Sequence, residues 1–251
     1  MKYLFSSRSK SVLESLRKER VLVAFDFDGT LAPLGPRPQF VDMRPVTRKR
    51  LLALARKFPV AVITGRAVSD IRQWTREFPL YSVVGNHGIE IDGNAKGARR
   101  YRTQVDGWLK PLAQRLQSWP GVWIENKGYS LSLHFRASPH PKKARHQLKH
   151  VARGLPGVRV VPGKDVVNLV PDRSPHKGTA FCYLVRQSKA TAAIFVGDDV
   201  TDESVFRNAR VPGCQVVTIR IGRSIHSKAK YYLKTQKEID QLLLVLLKEG
   251  D

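Results

Sequence analysis

The chain has few cysteines, and it has no long hydrophobic run. Only Cys182 and Cys214 occur in 251 residues, and they are too far apart in the sequence to match the paired spacing of a cysteine zinc site. This scarcity excludes a disulfide scaffold and fits a reducing compartment. No apolar stretch approaches the ~18 residues of a membrane helix, and the opening Met1–Phe5 soon turns polar, unlike a signal peptide. We therefore expect a cytoplasmic protein without membrane association.

Acidic residues are also scarce, which leaves the chain strongly basic. Its 44 lysines and arginines outnumber 21 aspartates and glutamates, for a net charge of +23. Such a charge attracts nucleic acids, acidic lipids or phosphorylated small molecules, and the charge alone does not choose among them. No recognition-helix, zinc-finger or RNA-binding sheet signature accompanies it, which argues against nucleic acid as the main ligand. Against this basic background, any acidic cluster is informative.

Short apolar runs alternate with helical patterns over most of the chain, and 42% of its residues are hydrophobic. This alternation predicts an α/β fold with a doubly wound parallel sheet. The predicted strands are residues 21–27, 60–63, 81–84, 192–196 and 216–219. The predicted helices of this part are residues 8–19, 47–57, 69–77, 177–187 and 236–249, with Ser69 as an N-cap.

The pattern changes between residues 101 and 172. Residues 122–136 are typical of two strands joined by a turn, and the second strand alternates in a way that indicates an antiparallel sheet with one polar face. A second hairpin is predicted at 158–170, with helices at 105–118 and 141–153. We therefore predict an inserted α+β domain over residues 101–172, in a core formed by residues 1–100 and 173–251.

Polar side chains follow the predicted strands of the core, where each strand ends. They are Asp26 and Asp28, Thr64, and the group Asp198, Asp199 and Asp202; Lys177 opens a predicted helix nearby. In a doubly wound sheet these positions share one edge and can converge. Carboxylates about 4 Å apart repel by roughly 4 kcal/mol at an effective dielectric near 20, and a divalent cation offsets this repulsion. Oxygen ligands favour Mg²⁺ over zinc.

This set of groups suits phosphoryl transfer. One aspartate can attack phosphorus and form an aspartyl-phosphate, while another, two residues on, moves protons to the leaving oxygen and from water. Thr64 can donate to a phosphate oxygen, and Lys177 can neutralise phosphate charge. The alternatives are structural, with Asp26 and Asp28 capping a turn and Lys177 lying on the surface.

The four segments resemble, in order and spacing, the motifs of the haloacid dehalogenase (HAD) superfamily. They read Asp26-Phe-Asp28-Gly-Thr-Leu, Thr64-Gly-Arg, Lys177 and Gly197-Asp-Asp-Val-Thr-Asp202. The resemblance implies a HAD Rossmann-like core, and the insert is similar to a C2-type cap that sets substrate specificity. More narrowly, residues 62–66, 84–91 and 125–136 resemble the trehalose-6-phosphate phosphatase family.

The resemblance implies a role for each matched residue. Asp26 would be the nucleophile and a Mg²⁺ ligand, and Asp28 would be the general acid and base and bind the metal through its backbone carbonyl. Thr64 and Lys177 would hold the transferring phosphate. The other implied metal residues are Asp198, as the third protein ligand, with Asp199 and Asp202 binding or orienting the metal shell. The implied substrate contacts are Gly65, Arg66, Asn86, His87, Glu125, Lys127, Arg136 and Asn168.

One position of the insert departs from the family pattern. The family usually carries Glu-x-Arg-Pro on the last cap strand, whereas this chain reads Asn168-Leu-Val-Pro171. Asn168 can still accept and donate hydrogen bonds, but the negative charge is lost. The resemblance therefore determines the reaction more firmly than it determines the substrate.

The resemblance implies a Mg²⁺-dependent phosphatase that converts trehalose 6-phosphate to trehalose and phosphate, with a trehalose-phosphate synthase as a candidate partner. One alternative is a HAD phosphatase for another sugar phosphate, such as sucrose 6-phosphate or a glycosyl phosphoglycerate. The other is a basic nucleic-acid-binding protein built on a HAD core. The sequence does not indicate an oligomeric state.

Overall fold

The computed structural model describes residues 1–7, 9–16, 19–35, 41–94, 98–163 and 165–248. The chain divides into two compact units, the first formed by Met1–Gly93 and His176–Asp251 and the second by Asn94–Pro175. The predicted insert, residues 101–172, lies within the second unit, whose limits fall several residues further out on both sides.

The secondary structure is numbered along the chain. The strands are β1 (Lys2–Tyr3), β2 (Val21–Phe25), β3 (Val60–Ile63), β4 (Ser82–Gly85), β5 (Glu90–Ile91), β6 (Trp123–Asn126), β7 (Leu131–His134), β8 (Val158–Gly163), β9 (Val166–Pro171), β10 (Ala192–Gly197), β11 (Gln215–Ile221) and β12 (Tyr231–Leu233). The helices are α1 (Lys10–Ser15), α2 (Pro45–Lys57), α3 (Val68–Thr75), α4 (Arg99–Leu116), α5 (Pro141–Arg153), α6 (Lys177–Gln187), α7 (Glu203–Asn208) and α8 (Ile239–Leu247). Within the described ranges, none of these helices combines the length and the apolar character needed to cross a bilayer.

The first unit is built on an eight-stranded sheet in the order β1-β12-β11-β10-β2-β3-β4-β5. All neighbouring strands are parallel except β5, which runs antiparallel to β4. The strands at the centre, β2, β3 and β10, are buried along their whole length. Their continuous apolar runs are explained by helices on both faces of a parallel sheet. The predicted doubly wound α/β fold is confirmed.

Alternate residues of the central strands contribute to two separate hydrophobic clusters, because successive side chains of a strand point to opposite faces. Val23, Val62 and Ile194 belong to the cluster that also contains buried residues of α2 and α8. Leu22 and Phe195 belong to the cluster that contains buried residues of α6. The sheet is therefore held between two apolar layers, which fixes the positions of its strand ends.

The second unit is a four-stranded sheet in the order β6-β7-β9-β8, with every neighbouring pair antiparallel. One face packs against helices α4 and α5, where Leu131 and Leu133 share a cluster with Trp108 and Leu148. The first hairpin turns at Gly128, which has a φ of 79° and donates its N–H to the side chain of Asn126. This turn is the one that the sequence pattern predicts.

Several element boundaries differ from the predictions. Helix α3 begins at Val68 with Ala67 in the N-cap position, so the prediction of Ser69 as the N-cap is wrong. Helix α4 begins at Arg99, whereas the sequence pattern predicts a start at residue 105. The earlier start is missed because the segment before 105 is polar and, apart from the buried Tyr101, shows little apolar periodicity. The edge strand β1 and its neighbour β12 are not predicted, since two or three residues give no recognisable pattern.

Two predicted helices extend over residues that lie outside the described ranges. For the helix predicted at 8–19, the described part forms α1 over Lys10–Ser15, and residues 8, 17 and 18 are not described. For the helix predicted at 236–249, a 3₁₀ turn at Gln236–Glu238 precedes α8, and residue 249 is not described.

Helix α8 offers a direct test of which face supports the core. Leu243 is fully buried, whereas its neighbour Leu244 is 40% exposed. We expect Leu243→Ala to lower the free energy of unfolding by about 2–5 kcal/mol, because the change leaves a cavity in the core. Leu244→Ala carries the same change in helix propensity and should cost under ~1 kcal/mol. Equal losses for the two variants in equilibrium urea unfolding would contradict the packing described for α8.

Candidate active site

The side chain of Lys177 joins two acidic segments at the carboxyl end of the central strands. Asp26 directly follows β2, and its backbone N–H donates to the carbonyl of Val196 on β10 at 2.8 Å. Lys177 is the first residue of α6, and its ammonium donates to Asp26 Oδ1 at 2.7 Å and to Asp202 Oδ1 at 2.8 Å. The Lys177 and Asp26 side chains are only 3% and 6% exposed, respectively. This ion-paired group is the centre of the site.

Burial and neighbouring charges determine the protonation of this group. Burial raises the pKa of Asp26 well above its ordinary value; Lys177 opposes this rise, and the Asp202 and Asp198 carboxylates add to it. Burial alone lowers the pKa of Lys177, but the charges of Asp202 and Asp26 outweigh it and raise that pKa above its ordinary value. Lys177 therefore keeps its positive charge at neutral pH, next to the residue that the sequence predicts as the nucleophile.

The turn after β10 is organised by Asp202. Its Oδ2 accepts the backbone N–H groups of Asp198 and Asp199, both at 2.9 Å, while Oδ1 accepts from Lys177. Asp199 begins the 3₁₀ turn Val200–Asp202, and its side chain accepts the Val200 N–H at 2.7 Å. Asp202 thus binds the backbone of the turn and the buried ammonium with the same carboxylate.

Three of the predicted metal residues form a compact acidic cluster. Asp26, Asp198 and Asp202 each offer one carboxylate oxygen, and these oxygens lie within 4.8 Å of one another. Among the described residues, the buried Oδ1 of Asp198 has no hydrogen-bond partner. Burial, together with the charges of Asp202 and Asp199, raises the pKa of Asp198 to about 7. Oxygen-only ligands with one unpaired oxygen fit a hard divalent cation.

The other two predicted metal residues have side chains engaged elsewhere. The Asp28 carboxylate pairs with Arg66, and the Asp199 carboxylate caps the turn that follows it. Burial raises the pKa of Asp199, and its bond from the Val200 N–H opposes the rise. Among the described residues, the carboxylate oxygens that lie together as a candidate metal site are those of Asp26, Asp198 and Asp202.

Gly29 makes room for the Asp198 carboxylate. Its φ of 81° is in the left-handed region, and a Cβ at this position would lie 2.1 Å from Asp198 Oδ2. No real Cβ approaches an oxygen this closely, so any side chain at residue 29 would displace Asp198. The glycine after the Asp26-Phe-Asp28 segment is thus required both by backbone conformation and by space.

Thr64 and Gly65 follow β3 and contact the turn that follows β4. Thr64 is fully buried, and its Oγ accepts the Arg66 backbone N–H at 3.2 Å; such a hydroxyl can still donate its proton. The imidazole of His87 packs on Gly65, where a Cβ would lie 2.5 Å from His87 Cε1. Asn86 and His87 both have positive φ, which is uncommon outside glycine.

This turn is held in place by backbone bonds to the predicted phosphate-binding segment. The His87 N–H donates to the Thr64 carbonyl at 3.0 Å, and the Asn86 N–H donates to the Arg66 carbonyl at 2.7 Å. The Asn86 side chain donates to Glu90 Oε2 at 2.6 Å, and the same oxygen accepts the Val68 N–H at 3.1 Å. Glu90 therefore supports the turn that carries Asn86, a role that is not predicted from the sequence.

Arg66 contacts Asp28 rather than standing free for a substrate. Its Nε donates to Asp28 Oδ2 at 2.7 Å and its Nη2 donates to Asp28 Oδ1 at 2.6 Å, while Nη1 donates to Asp70 at 2.9 Å. The Arg66 side chain is 6% exposed. The family resemblance implies that Arg66 contacts the substrate, and this role stays a prediction; in the structure its guanidinium has the Asp28 and Asp70 carboxylates as partners.

In the second unit, two of the predicted sugar-contacting residues, Glu125 and Asn168, lie on the sheet face opposite α4 and α5. Glu125 faces Ser132 and Ser132 faces Asn168 across the strands, so the three share that face. Glu125 Oε2 lies 2.8 Å from His134 Nε2 and 3.7 Å from Lys127 Nζ, and the His134 ring stacks on Trp123 at 3.9 Å. The sequence-based set omits His134, although its place in the alternating strand puts it on this polar face.

The two remaining predicted contacts are also paired with neighbours in the second unit. Arg136 Nε donates to Asp165 at 3.0 Å and remains partly exposed. Asn168 Oδ1 accepts the Ser132 hydroxyl at 2.6 Å, and both residues are buried. The side-chain oxygen of Asn168 therefore has a defined hydrogen-bond donor, the Ser132 hydroxyl.

The close approach of Gly29 and Asp198 can be tested with a matched pair of glycines. Gly213 has a φ of 71° and nothing within 4 Å of an added Cβ, so Gly213→Ala reports the backbone cost alone, about 1–2 kcal/mol. We expect Gly29→Ala to cost roughly 1–3 kcal/mol more, because the added methyl overlaps the Asp198 carboxylate. Equal losses in equilibrium urea unfolding would contradict the contact.

Comparisons with a family model and with related proteins all indicate the same family. A family model described as trehalose-phosphatase matches residues 24–237. "Probable trehalose-phosphate phosphatase J" of Arabidopsis thaliana is 27% identical over 224 residues, which cover 80% of this chain and 60% of that protein. "Probable trehalose-phosphate phosphatase 4" of Oryza sativa subsp. japonica is 26% identical over 257 residues, covering 96% of this chain and 70% of that protein. The chain spans about three fifths of the length of the two Arabidopsis relatives J and I.

Solved structures support the fold. The C-terminal domain of the C. albicans trehalose-6-phosphate phosphatase superposes with a TM-score of 0.77 at 21% identity, covering 95% of this chain and 96% of that one. A HAD subclass IIB sugar phosphatase, BT4131, superposes with a TM-score of 0.59 at 12% identity, covering 89% of this chain and 97% of that one. At these identities the likeness concerns the fold alone. Because the family model matches most of its length, the chain belongs to the trehalose-phosphatase family.

Proposed function

We propose that this chain is a Mg²⁺-dependent phosphatase that hydrolyses trehalose 6-phosphate to trehalose and phosphate. The observation that carries the proposal is the buried Asp26, which is bonded to Lys177 and clustered with Asp198 and Asp202 in a member of this family. A purely structural role leaves the unpaired buried oxygen of Asp198 unexplained, because buried polar atoms are normally satisfied.

In the first chemical step, a carboxylate oxygen of Asp26 attacks phosphorus. The new bond joins Asp26 to phosphorus, and the bond between phosphorus and the sugar oxygen breaks. Because Oδ1 already accepts the Lys177 bond, we assign the attack to Oδ2. Asp28 gives its proton to the departing sugar oxygen, which leaves as the free sugar. Lys177 and the Thr64 hydroxyl hold the phosphoryl oxygens during the transfer.

In the second step, water hydrolyses the aspartyl-phosphate. Asp28, now ionised, takes a proton from water; the water oxygen bonds to phosphorus, and the bond to Asp26 breaks. Phosphate leaves, and both aspartates return to their starting protonation states. The sum of the two steps is the addition of one water molecule to the phosphate ester.

Asp26, Asp198 and Asp202 are the side chains that would hold Mg²⁺, supported by the oxygen-only set and the unpaired oxygen of Asp198. When bound, the cation would neutralise the negative charge of the carboxylates and the phosphate, as Lewis-acid metals do in phosphoryl transfer. The site residues keep their own tasks: Asp26 attacks, Asp28 moves the proton, and Lys177 positions and neutralises phosphate.

Replacing the nucleophile tests the mechanism. We expect Asp26→Asn to lower phosphate release from trehalose 6-phosphate by at least about 1,000-fold, because an amide oxygen is a poor nucleophile. Asp106→Asn makes the same chemical change at an exposed position of α4 and should retain activity. Release would be measured with Mg²⁺ and with a chelator. Full activity of Asp26→Asn, or release that ignores the chelator, would exclude the proposed mechanism.

Metal binding should depend on pH. Asp198 has a pKa of about 7, so below that pH its carboxyl group holds a proton that the cation must displace. We expect Mg²⁺ affinity to rise between pH 6 and pH 8, with proton release on binding near pH 6.5. Calorimetry in buffers of different ionisation enthalpy would measure both. An affinity independent of pH over this range would argue against Asp198 as a ligand.

The identity of the sugar is the finer part of the proposal. We infer trehalose 6-phosphate from the family, while Asn168 in place of the family glutamate keeps sucrose 6-phosphate and glycosyl phosphoglycerates as competitors. Glu125, Lys127 and Arg136 stay predicted sugar contacts. We expect trehalose 6-phosphate to have the highest kcat/KM in a panel of these esters. A hundredfold preference for another ester would reject trehalose 6-phosphate as the substrate and leave the phosphatase mechanism in place.

A further inference from the structure

Arg66 is buried between two carboxylates and two aromatic rings of the first unit. Its guanidinium donates two parallel bonds to the two oxygens of Asp28 and one bond to Asp70. The guanidinium carbon also lies 4.7 Å from the centre of the Trp74 ring and 5.6 Å from that of Phe27, within cation–π distance of both. The guanidinium is thus immobilised from several directions.

We propose that Arg66 is a positioning residue that fixes the Asp28 carboxyl group for proton transfer to the sugar oxygen. This inference rests on the proposed function, because it concerns the residue to which that function assigns the proton. It differs from the sequence prediction, in which Arg66 is a substrate contact. The role of Arg66 is exerted through Asp28.

The physical reason is the geometric demand of proton transfer. A general acid works only when its oxygen reaches hydrogen-bond distance of the departing atom, about 2.6–3.2 Å. The Asp28 side chain is about one third exposed, so without a partner it would sample several rotamers. A bidentate pair with a guanidinium fixes both the position and the plane of the carboxyl group. When Asp28 is protonated, the oxygen that lacks the proton can still accept from Arg66.

The surroundings of Arg66 explain why arginine and not lysine suits this position. The planar fork matches two carboxylate oxygens at once and stacks on an aromatic ring, whereas an ammonium is a point charge that makes neither arrangement. Asp70 holds the opposite side of the fork from the next turn of the chain, at the start of α3. Lysine at residue 66 would keep the charge and lose the orientation.

The test compares two substrates that differ in their need for a proton. A sugar phosphate such as trehalose 6-phosphate has a poor leaving group and needs the general acid, while p-nitrophenyl phosphate releases a stable phenolate without it. The measured quantity is the ratio of kcat/KM for trehalose 6-phosphate to kcat/KM for p-nitrophenyl phosphate. Because kcat/KM covers only the steps up to release of the alcohol, hydrolysis of the aspartyl-phosphate does not enter the ratio.

We expect Arg66→Lys to lower this ratio about tenfold and Arg66→Met to lower it by up to about a hundredfold, within the range that general acids contribute. The ratio cancels the fraction of folded enzyme, so it remains informative even if removing a buried guanidinium lowers stability. The matched control is Arg72→Met on α3, the helix that follows Arg66; the Arg72 guanidinium donates to the Asp92 carbonyl at 3.1 Å. Its ratio should stay at the wild-type value.

A ratio that is unchanged or higher in both Arg66 variants would overturn the positioning role. An unchanged ratio would mean that Arg66 supports only folding, and a raised ratio would mean that it restrains Asp28 away from the sugar oxygen. Failure of the proposed function has a separate signature, since the wild-type protein would then release no phosphate from trehalose 6-phosphate in the presence of Mg²⁺.

Discussion

The buried ammonium of Lys177 is the interaction on which the rest of the site depends. It binds Asp26 after one central strand and Asp202 after the adjacent one, and burial makes each of the three charges costly without the others. Asp202 in turn holds the backbone of the turn that presents Asp198. One lysine at the start of α6 therefore determines how two strand ends face each other, and the position of the unpaired Asp198 oxygen follows from it.

Much of the fold and of the candidate site could be predicted from the sequence, because both depend on short local patterns. Continuous apolar runs identified β2, β3 and β10, and polar residues at their ends identified the edge where the site lies. The details that escaped prediction are pairings between side chains. Nothing in the spacing of Asp28 and Arg66 indicates that they bind each other, and nothing in the Gly197–Asp202 segment distinguishes the aspartate that bonds the backbone from the one left unpaired. Such choices depend on rotamers and distances that only the packed structure defines.

In the second unit, too, features that depend on the pattern along one strand are predictable, whereas contacts between side chains of two strands are not. Alternation along β7 predicts one apolar face packed on helices and one polar face, and both are observed. The stacking of Trp123 on His134 and the bond from His134 to Glu125 join residues on two strands, so they follow from register rather than from composition.

The contacts described for the site do not account for the net charge of +23. Part of it lies on α5, whose exposed face carries lysines and arginines and whose sequence contains no acidic residue.

The position of β10 next to β2 has a consequence for how the chain acquires its structure. The bond between Lys177 and Asp26 joins residues 151 positions apart, with the whole second unit between them in the sequence. During synthesis the first unit cannot complete its central strand pair until the residues of β10 have left the ribosome, whereas the second unit is one continuous segment of the chain. Contacts of such long sequence separation form slowly, because closing a long loop costs entropy before the contact compensates for it. The carboxylates around Lys177 therefore come together only after the whole of the second unit has been synthesised.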